Sequence, residues 1–174
     1  IDAYVDRGGN VARFGANFIW QVRLEDDGHT QVCYKYNAQA QDPVMGTEMQ
    51  GGLTTAWESP LVNRPGALTF GLNGLHCVYS GFGGWSPRNS GGYVVYRNQH
   101  WVFEGCDLYL GDCFGMSASI FGYEVDGVEF TFRNGLPYPT FTDGAPDNLE
   151  ILAMNASGLE EEDHGNKGAK LYSG

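Results

Sequence analysis

The sequence lacks the short motifs that mark several common kinds of active site. It has no P-loop, no dinucleotide-binding GxGxxG, no GxSxG nucleophile elbow and no CxxC pair. These absences argue against nucleotide-binding, serine-hydrolase and zinc-ribbon proteins. Basic residues are also scarce, since ten Lys and Arg stand against 21 Asp and Glu, which gives a net charge of −11. Because phosphate binding needs basic patches, we expect no nucleic-acid partner.

Long apolar runs and closely spaced metal ligands are missing as well. No run approaches the roughly 20 residues of a membrane span, so we expect no membrane partner. The four cysteines form no metal-binding pair, and we expect buried free thiols in a cytoplasmic protein. The histidines are isolated, which makes a metal site from the local ligands the weaker interpretation. Those ligands are His76, Cys77, His100, Cys106, Asp107, Asp112 and Cys113.

Glycine and aromatic residues are abundant, with 26 glycines and 14% aromatics. Many aromatics with few long helical runs predict strands and tight turns, hence a strand-rich α+β fold. The glycine-rich residues 70–92 indicate close packing or a mobile lid over a site. We expect a hairpin turn at Asp26-Asp27-Gly28-His29, a loop over 135–146, and strands over 11–14, 30–36, 93–96, 120–125, 128–132 and 149–154.

The first twenty residues predict a helix end, a stop at Gly8-Gly9 and a strand over 11–14 that ends at Gly15-Ala16-Asn17. This is half of a βαβ unit, in which ligands bind beyond the carboxyl ends of the strands. Asn17 lies at that position, and its amide both donates and accepts hydrogen bonds. The alternative is an Asn that merely tolerates a turn. Because no strand precedes the helix, we expect a piece of a longer polypeptide.

Glu124 is the second candidate. It lies in the apolar stretch IFGYEV, which turns at Asp126-Gly127. Burial would raise the pKa of this carboxyl toward the range useful for proton transfer. The alternative is a half-exposed strand with Glu124 in water.

Several stretches occur in an order that resembles one known family. They are GGNVARFGANFIW, LTTAWESP, RPGALTFGLNGL, the glycine and aromatic run, and IFGYEVDG. Together they resemble the C-terminal region of the large (beta) subunit of N,N-dimethylformamidase and its relatives. The resemblance implies part of a glutamine-amidotransferase-like α/β domain with β-hairpin insertions. It also implies hydrolysis of a small amide to an amine and a carboxylate, at a mononuclear iron held by two tyrosines and a glutamate.

The resemblance carries over to two residues. The family's GGN turn with its catalytic asparagine matches Gly15-Ala16-Asn17, and its catalytic glutamate matches Glu124. The iron ligands would lie upstream of Ile1, so we expect no metal site in this chain and an inactive isolated fragment. Residues 1–155 are then a partial catalytic domain, incomplete at its N-terminus, and residues 156–174 a polar flexible segment that leads to a missing C-terminal part.

The resemblance also implies partners. They are the rest of the same polypeptide, a homo-oligomer or small subunit, and a small amide substrate. The competing interpretation is a non-catalytic β-rich domain whose aromatic residues bind carbohydrate or a protein partner. That interpretation requires no metal and no role for Glu124.

Overall fold

A computed structural model of the chain describes residues 1–15, 19–79, 92–118, 120 and 124–154, without the side chains of 75–79, 124 and 125. These ranges contain three short α-helices, five 3₁₀ turns and nine strands in four small sheets. The helices are α1 (Asp2–Val5), α2 (Ala38–Gln41) and α3 (Gly66–Phe70). The strands are β1 (Arg23–Glu25), β2 (Thr30–Val32), β3 (Asn73–Tyr79), β4 (Tyr93–Val95), β5 (Cys113–Phe114), β6 (Glu124–Gly127), β7 (Phe130–Arg133), β8 (Leu136–Pro139) and β9 (Ala153–Met154).

The mixture of short helices and small sheets is compatible with the predicted strand-rich α+β class. The sheets pair β1 with β2, β3 with β6 and β7 with β8, while β4 lies between β5 and β9. All of these pairings are antiparallel. The glutamine-amidotransferase-like core therefore stays a prediction. No helix among the described residues is long and apolar enough to cross a membrane.

The N-terminal segment follows the prediction only in its first half. The helix α1 ends before Gly8, whose φ of 85° is the left-handed conformation predicted for a glycine stop. The predicted strand over 11–14 is wrong, because those residues are irregular and pair with no strand in the described part of the chain. Val11 is 46% exposed and Phe14 is 98% exposed. Arg13 instead anchors this segment by binding a side chain of β6.

The first hairpin is confirmed, but its second strand is shorter than predicted. The chain turns over residues Asp26–Gly28 and returns as β2, which ends at Val32 rather than at residue 36. The strand ends early because the backbone groups that follow it bond elsewhere. The N–H groups of Tyr34 and Lys35 donate to the hydroxyl and carbonyl oxygens of Thr54, each at 3.0 Å, rather than to β1. The chain then enters a 3₁₀ turn and α2.

A buried ion pair fixes this hairpin against the loop over residues 42–54. The Asp42 side chain is fully buried, and its two oxygens accept from both terminal nitrogens of Arg23, at 3.1 and 2.9 Å. Asp42 also accepts from the N–H and hydroxyl of Thr54, at 2.9 and 2.7 Å. Burial by itself would raise the pKa of Asp42, but the Arg23 and Thr54 hydrogen bonds outweigh it and hold that pKa well below its ordinary value.

The predicted strand over 120–125 is confirmed only at its last two residues, since Ile120 has no regular structure and residues 121–123 lie outside the described ranges. Glu124 begins β6, yet Asp126 and Gly127 continue this strand opposite β3 rather than forming the predicted turn. The predicted loop over 135–146 is also wrong at its start, because β7 and β8 form a hairpin there. Asn134 and Gly135 connect the two strands with φ of 52° and 80°, the pattern of a two-residue hairpin turn.

The main apolar core is small and lies between α3 and the C-terminal part of the described chain. Its fully buried members are surrounded by partly buried side chains such as Leu72 and Tyr96. The predicted strand over 149–154 is reduced to β9, which pairs with β4. The buried members of the core are Ala67, Val128, Ala145, Ile151 and Met154.

Candidate active site

The structure describes the two residues predicted for catalysis to different extents. Asn17 lies outside the described residues. Glu124 lies at the start of β6, where its backbone is opposite Tyr79 of β3, and its side chain is outside the description. Their roles therefore stay predictions. Likewise, residues 80–91 of the predicted lid lie outside the described ranges.

An ion pair connects the segments that carry these two residues. Asp126, two positions after Glu124 in β6, has a side chain only 1% exposed. The Arg13 guanidinium donates to an Asp126 carboxylate oxygen, although the two residues are 113 positions apart in the sequence. Arg13 also lies over the Phe70 ring, 5.6 Å from its centroid. The segment before Asn17 is thus tied both to β6 and to the end of α3.

A second carboxyl, that of the partly buried Glu58, lies near this pair. The Gly66 N–H donates to Glu58 Oε1 at 3.2 Å, while Oε2 is buried and has no hydrogen-bond partner among the described residues. Burial raises the pKa of Glu58 above its ordinary value, and the neighbouring charge of Asp126 raises it further. Hydrogen bonds from backbone N–H groups, including that of Gly74 in β3, oppose the rise without cancelling it. A carboxyl in such a setting is a candidate proton donor or acceptor.

The polar interior extends along β3. Asn73, the first residue of β3, is fully buried, and its amide donates to Asp143 Oδ2 at 3.0 Å. The same oxygen accepts from the Glu129 N–H at 2.8 Å. Asn73 pairs with Gly127 across the sheet. Hydrogen bonds therefore fix the start of β3, and the residues between β6 and β7, relative to the loop that follows β8.

Two clefts flank the end of α3. One has a volume of about 300 Å³, and its lining includes Gly9, Arg13 and Gly15. The other has a volume of about 260 Å³ and is lined in part by Trp57 and Gly66. Thr69 and Phe70 line both clefts. Clefts of this size, one with mainly apolar walls and the larger with mixed polar and apolar walls, fit small molecules rather than extended polymers.

The cysteines and metal-binding side chains do not add a second site. Cys33 is half-buried, whereas Cys106 and Cys113 are exposed, so the prediction of buried thiols is wrong for these three free cysteines. No group of three or more His, Cys, Asp or Glu side chains that could hold a metal is found in the part of the chain that the structure describes.

Sequence reasoning missed Arg13, Asp126 and Glu58. Asp126 was assigned to a turn because Asp-Gly is a strong turn signal. Its alternation with Glu124 along one strand was the available clue, since positions i and i+2 share a face of the backbone. Glu58 and Arg13 carried no local signal, because their neighbours come from distant parts of the sequence.

The fold is a mixture of short helices and small sheets, and the carboxylates of Asp126 and Glu58 contact Arg13 and Gly66, which line clefts sized for a small molecule. The chain belongs to the N,N-dimethylformamidase beta subunit-like, C-terminal family, which matches residues 1–173. This confirms the resemblance seen in the sequence motifs and links the chain to the dimethylformamidase-like hydrolases. Comparison with curated proteins gave no match, and comparison with solved structures gave none either.

Proposed function

We propose that the chain is part of an amidohydrolase that hydrolyses the C–N bond of a small linear amide to an amine and a carboxylate. The observation that carries this proposal is the family match over residues 1–173, a range that includes both Asn17 and Glu124. The Glu58 carboxyl supports it, because its partly buried position and raised pKa make it a potential acid–base group near Asp126 of β6.

In the proposed reaction, water adds to the amide carbonyl and the tetrahedral intermediate then expels the amine. The Asn17 amide would donate a hydrogen bond to the carbonyl oxygen, where negative charge develops. Glu124 would accept a proton from the attacking water and deliver a proton to the leaving nitrogen. Both roles rest on the match to the family's motifs and on the chemistry of an amide and a carboxylate side chain.

The proposal assigns iron to the longer polypeptide by resemblance alone. Among the described residues, no group of three His, Cys, Asp or Glu side chains could hold a metal. We place the protein in the cytoplasm, which the exposed thiols of Cys106 and Cys113 support, since thiols stay reduced there. The rest of the polypeptide, and a second copy or a small subunit, are the proposed partners.

The test is release of the amine product by the full-length protein, which is dimethylamine from N,N-dimethylformamide and ammonia from formamide and acetamide. Asn17→Ala should lower kcat about 100- to 1,000-fold, as removal of one oxyanion donor does. Glu124→Gln should lower kcat by about 100-fold or more, because it removes the acid–base group. Asn148→Ala and Glu150→Gln are matched controls at exposed positions and should leave kcat unchanged.

Circular dichroism establishes that each variant is folded before its rate is compared. Near wild-type rates in both Asn17→Ala and Glu124→Gln would refute the assignment of these residues. Absence of amine release from all three substrates by the iron-loaded wild-type protein would refute hydrolysis of simple small amides.

The exposed aromatic rings favour one second candidate, a carbohydrate- or partner-binding domain. Trp101 is 75% exposed and Tyr109 is 63% exposed, as in surfaces that stack sugar rings. This candidate predicts that Trp101→Ala abolishes retention on a carbohydrate array, and that Glu124→Gln changes nothing. Amine release that depends on Glu124 contradicts it.

A further inference from the structure

One contact connects the two segments to which the proposed function assigns its catalytic residues. Arg13 lies four positions before Asn17, and Asp126 lies two positions after Glu124. The Arg13 guanidinium and the Asp126 carboxylate form an ion pair across 113 positions of sequence. Neither residue is among those that the family's motifs assign to catalysis.

The pair is protected from solvent. The side chain of Asp126 is 1% exposed and that of Arg13 is 18% exposed. Separating the partners of a buried ion pair is costly, because each charge would then be unpaired in surroundings that solvate it poorly. The two side chains are therefore held together. Asp126 also lies within β6, whose backbone is hydrogen-bonded to β3, so the acidic partner is fixed to a sheet.

The basic partner belongs to a segment that no strand holds. Residues 9–15 have no regular structure, and Arg13 lies against the Phe70 ring while it binds Asp126. Four residues of chain span at most about 14 Å, so anchoring Arg13 restricts the region that residue 17 can reach. The ion pair therefore limits the position of the segment that leads to Asn17 relative to β6.

We infer that the Arg13–Asp126 pair is a positioning device for the active site. It holds the segment that leads to Asn17 at a fixed place beside the strand that begins with Glu124. Arg13 also lines the cleft of about 300 Å³, so the same contact defines one wall of the space next to this segment. The expected effect of the pair on the reaction rate rests on the proposed function. Its expected effect on the position of the segment before Asn17 does not.

The structural consequence is measured by hydrogen–deuterium exchange on the full-length protein. Asp126→Asn and Arg13→Gln should each accelerate amide exchange in two peptides together, one covering residues 11–18 and the other covering 124–127. Arg13→Lys keeps the charge but not the planar fork of guanidinium donors, so it should give a smaller acceleration in the same two peptides. Arg13→Lys also serves as the test if the other variants do not fold, because it keeps a positive charge beside the buried Asp126 carboxylate.

The chain offers a matched control in the Arg23–Asp42 pair, with side chains 14% and 0% exposed. Arg23→Lys, made alongside Arg13→Lys, should accelerate exchange around residues 23 and 42 and leave the two active-site peptides unchanged. Unchanged exchange of the 11–18 peptide in Asp126→Asn and in Arg13→Lys would overturn the inference. Acceleration of every peptide equally would overturn it too, since that result indicates a general loss of stability.

The catalytic consequence is measured as a separation of kcat from KM. Misplacement of a catalytic group by about 1 Å can cost about 100-fold in rate, so we expect kcat to fall about 10- to 100-fold in Asp126→Asn. KM should change less than about threefold in this variant, because Asp126 is not among the described residues that line the two clefts. The double variant Arg13→Gln/Asp126→Asn should lose no more than either single variant, as residues that act as a unit do.

The experiments distinguish failure of the inference from failure of the proposed function. Coupled exchange of the two peptides with no amide hydrolysis by the wild-type protein would support the inference and refute the proposed function. Amide hydrolysis with unchanged kcat in a folded Asp126→Asn variant would support the proposed function and overturn the catalytic part of the inference.

Discussion

The Arg23–Asp42 ion pair gives the sharpest stability prediction, and Asp42→Ala is the perturbation. The wild-type carboxylate is fully buried and accepts from two terminal nitrogens of Arg23 and from the N–H and hydroxyl of Thr54. The Val44 N–H adds a longer bond of 3.3 Å. Truncation at Cβ removes every one of these acceptors at once.

The magnitude follows from what the truncation leaves behind. Breaking a buried ion pair by removing one partner costs about 3–5 kcal/mol, because the remaining charge is uncompensated. Arg23 keeps part of its compensation, since it still donates to Glu25 at 2.7 Å and to the Gly52 carbonyl at 2.9 Å. The Thr54 N–H loses its partner in a buried position, which costs about 1–3 kcal/mol. We therefore expect the free energy of unfolding to fall by about 3–5 kcal/mol, since these terms overlap.

The same contacts predict the pH dependence. The pKa of folded Asp42 lies well below its ordinary value of 3.8. On acidification, the unfolded chain therefore takes up this proton before the folded chain does, and protonation favours the unfolded state. The stabilisation is complete above about pH 5 and is lost as the pH falls below about 4. The difference between wild type and Asp42→Ala should shrink over that range.

The assay is urea unfolding at pH 7, 5 and 3.5, followed by tryptophan fluorescence. Glu48→Ala is the matched control, because it removes an exposed carboxylate from the same loop. A loss below about 1 kcal/mol at pH 7, the level of an exposed ion pair, would refute the reasoning. So would a difference that stays constant down to pH 3.5.

Two further predictions concern Glu58 and Gly71. Burial raises the pKa of Glu58 above 4.5, so the folded protein loses stability as the pH rises through that raised value. The free energy of unfolding of Glu58→Gln should therefore increase relative to that of the wild type between pH 4 and 8, in the same unfolding assay. A pH-independent difference would contradict this. Gly71→Ala should lower the thermal midpoint, since Gly71 has a φ of 76° and a new Cβ would lie 2.7 Å from Leu149 Cδ1. Gly105→Ala, with the same kind of φ and open space, separates backbone strain from the clash.

The elements that the sequence predicted correctly are those that depend on the preferences of neighbouring residues. The turn at Asp26–Gly28, the glycine stop at Gly8 and the strand β4 follow from short-range turn and strand preferences. The β7–β8 hairpin had its own local signal in Asn134-Gly135, but Pro137 and Pro139 argued for a loop. Proline is tolerated there because this sheet has two strands, so each strand has an unpaired edge.

The polar interior could not be predicted, because its contacts join distant positions. Arg13 was placed in a strand from its apolar neighbours, whereas its actual partner lies in β6. Glu58 gave no pattern at all, and its environment depends on Gly66, on β3 and on Asp126. The motif order identified the family, yet it assigned roles only at Asn17 and Glu124, whose side chains the description does not include.

The two buried ion pairs explain how so small a set of sheets keeps long irregular segments in place. Each pair joins an arginine on one segment to a fully buried aspartate on another, and neither connection passes through a strand ladder. Hydrophobic periodicity cannot detect such connections, because a single charged side chain replaces several apolar contacts. Since an unpaired buried charge is costly, each pair also favours one arrangement of its segments over alternatives. Arg23–Asp42 acts in this way on the first hairpin, and Arg13–Asp126 does so beside the proposed active site.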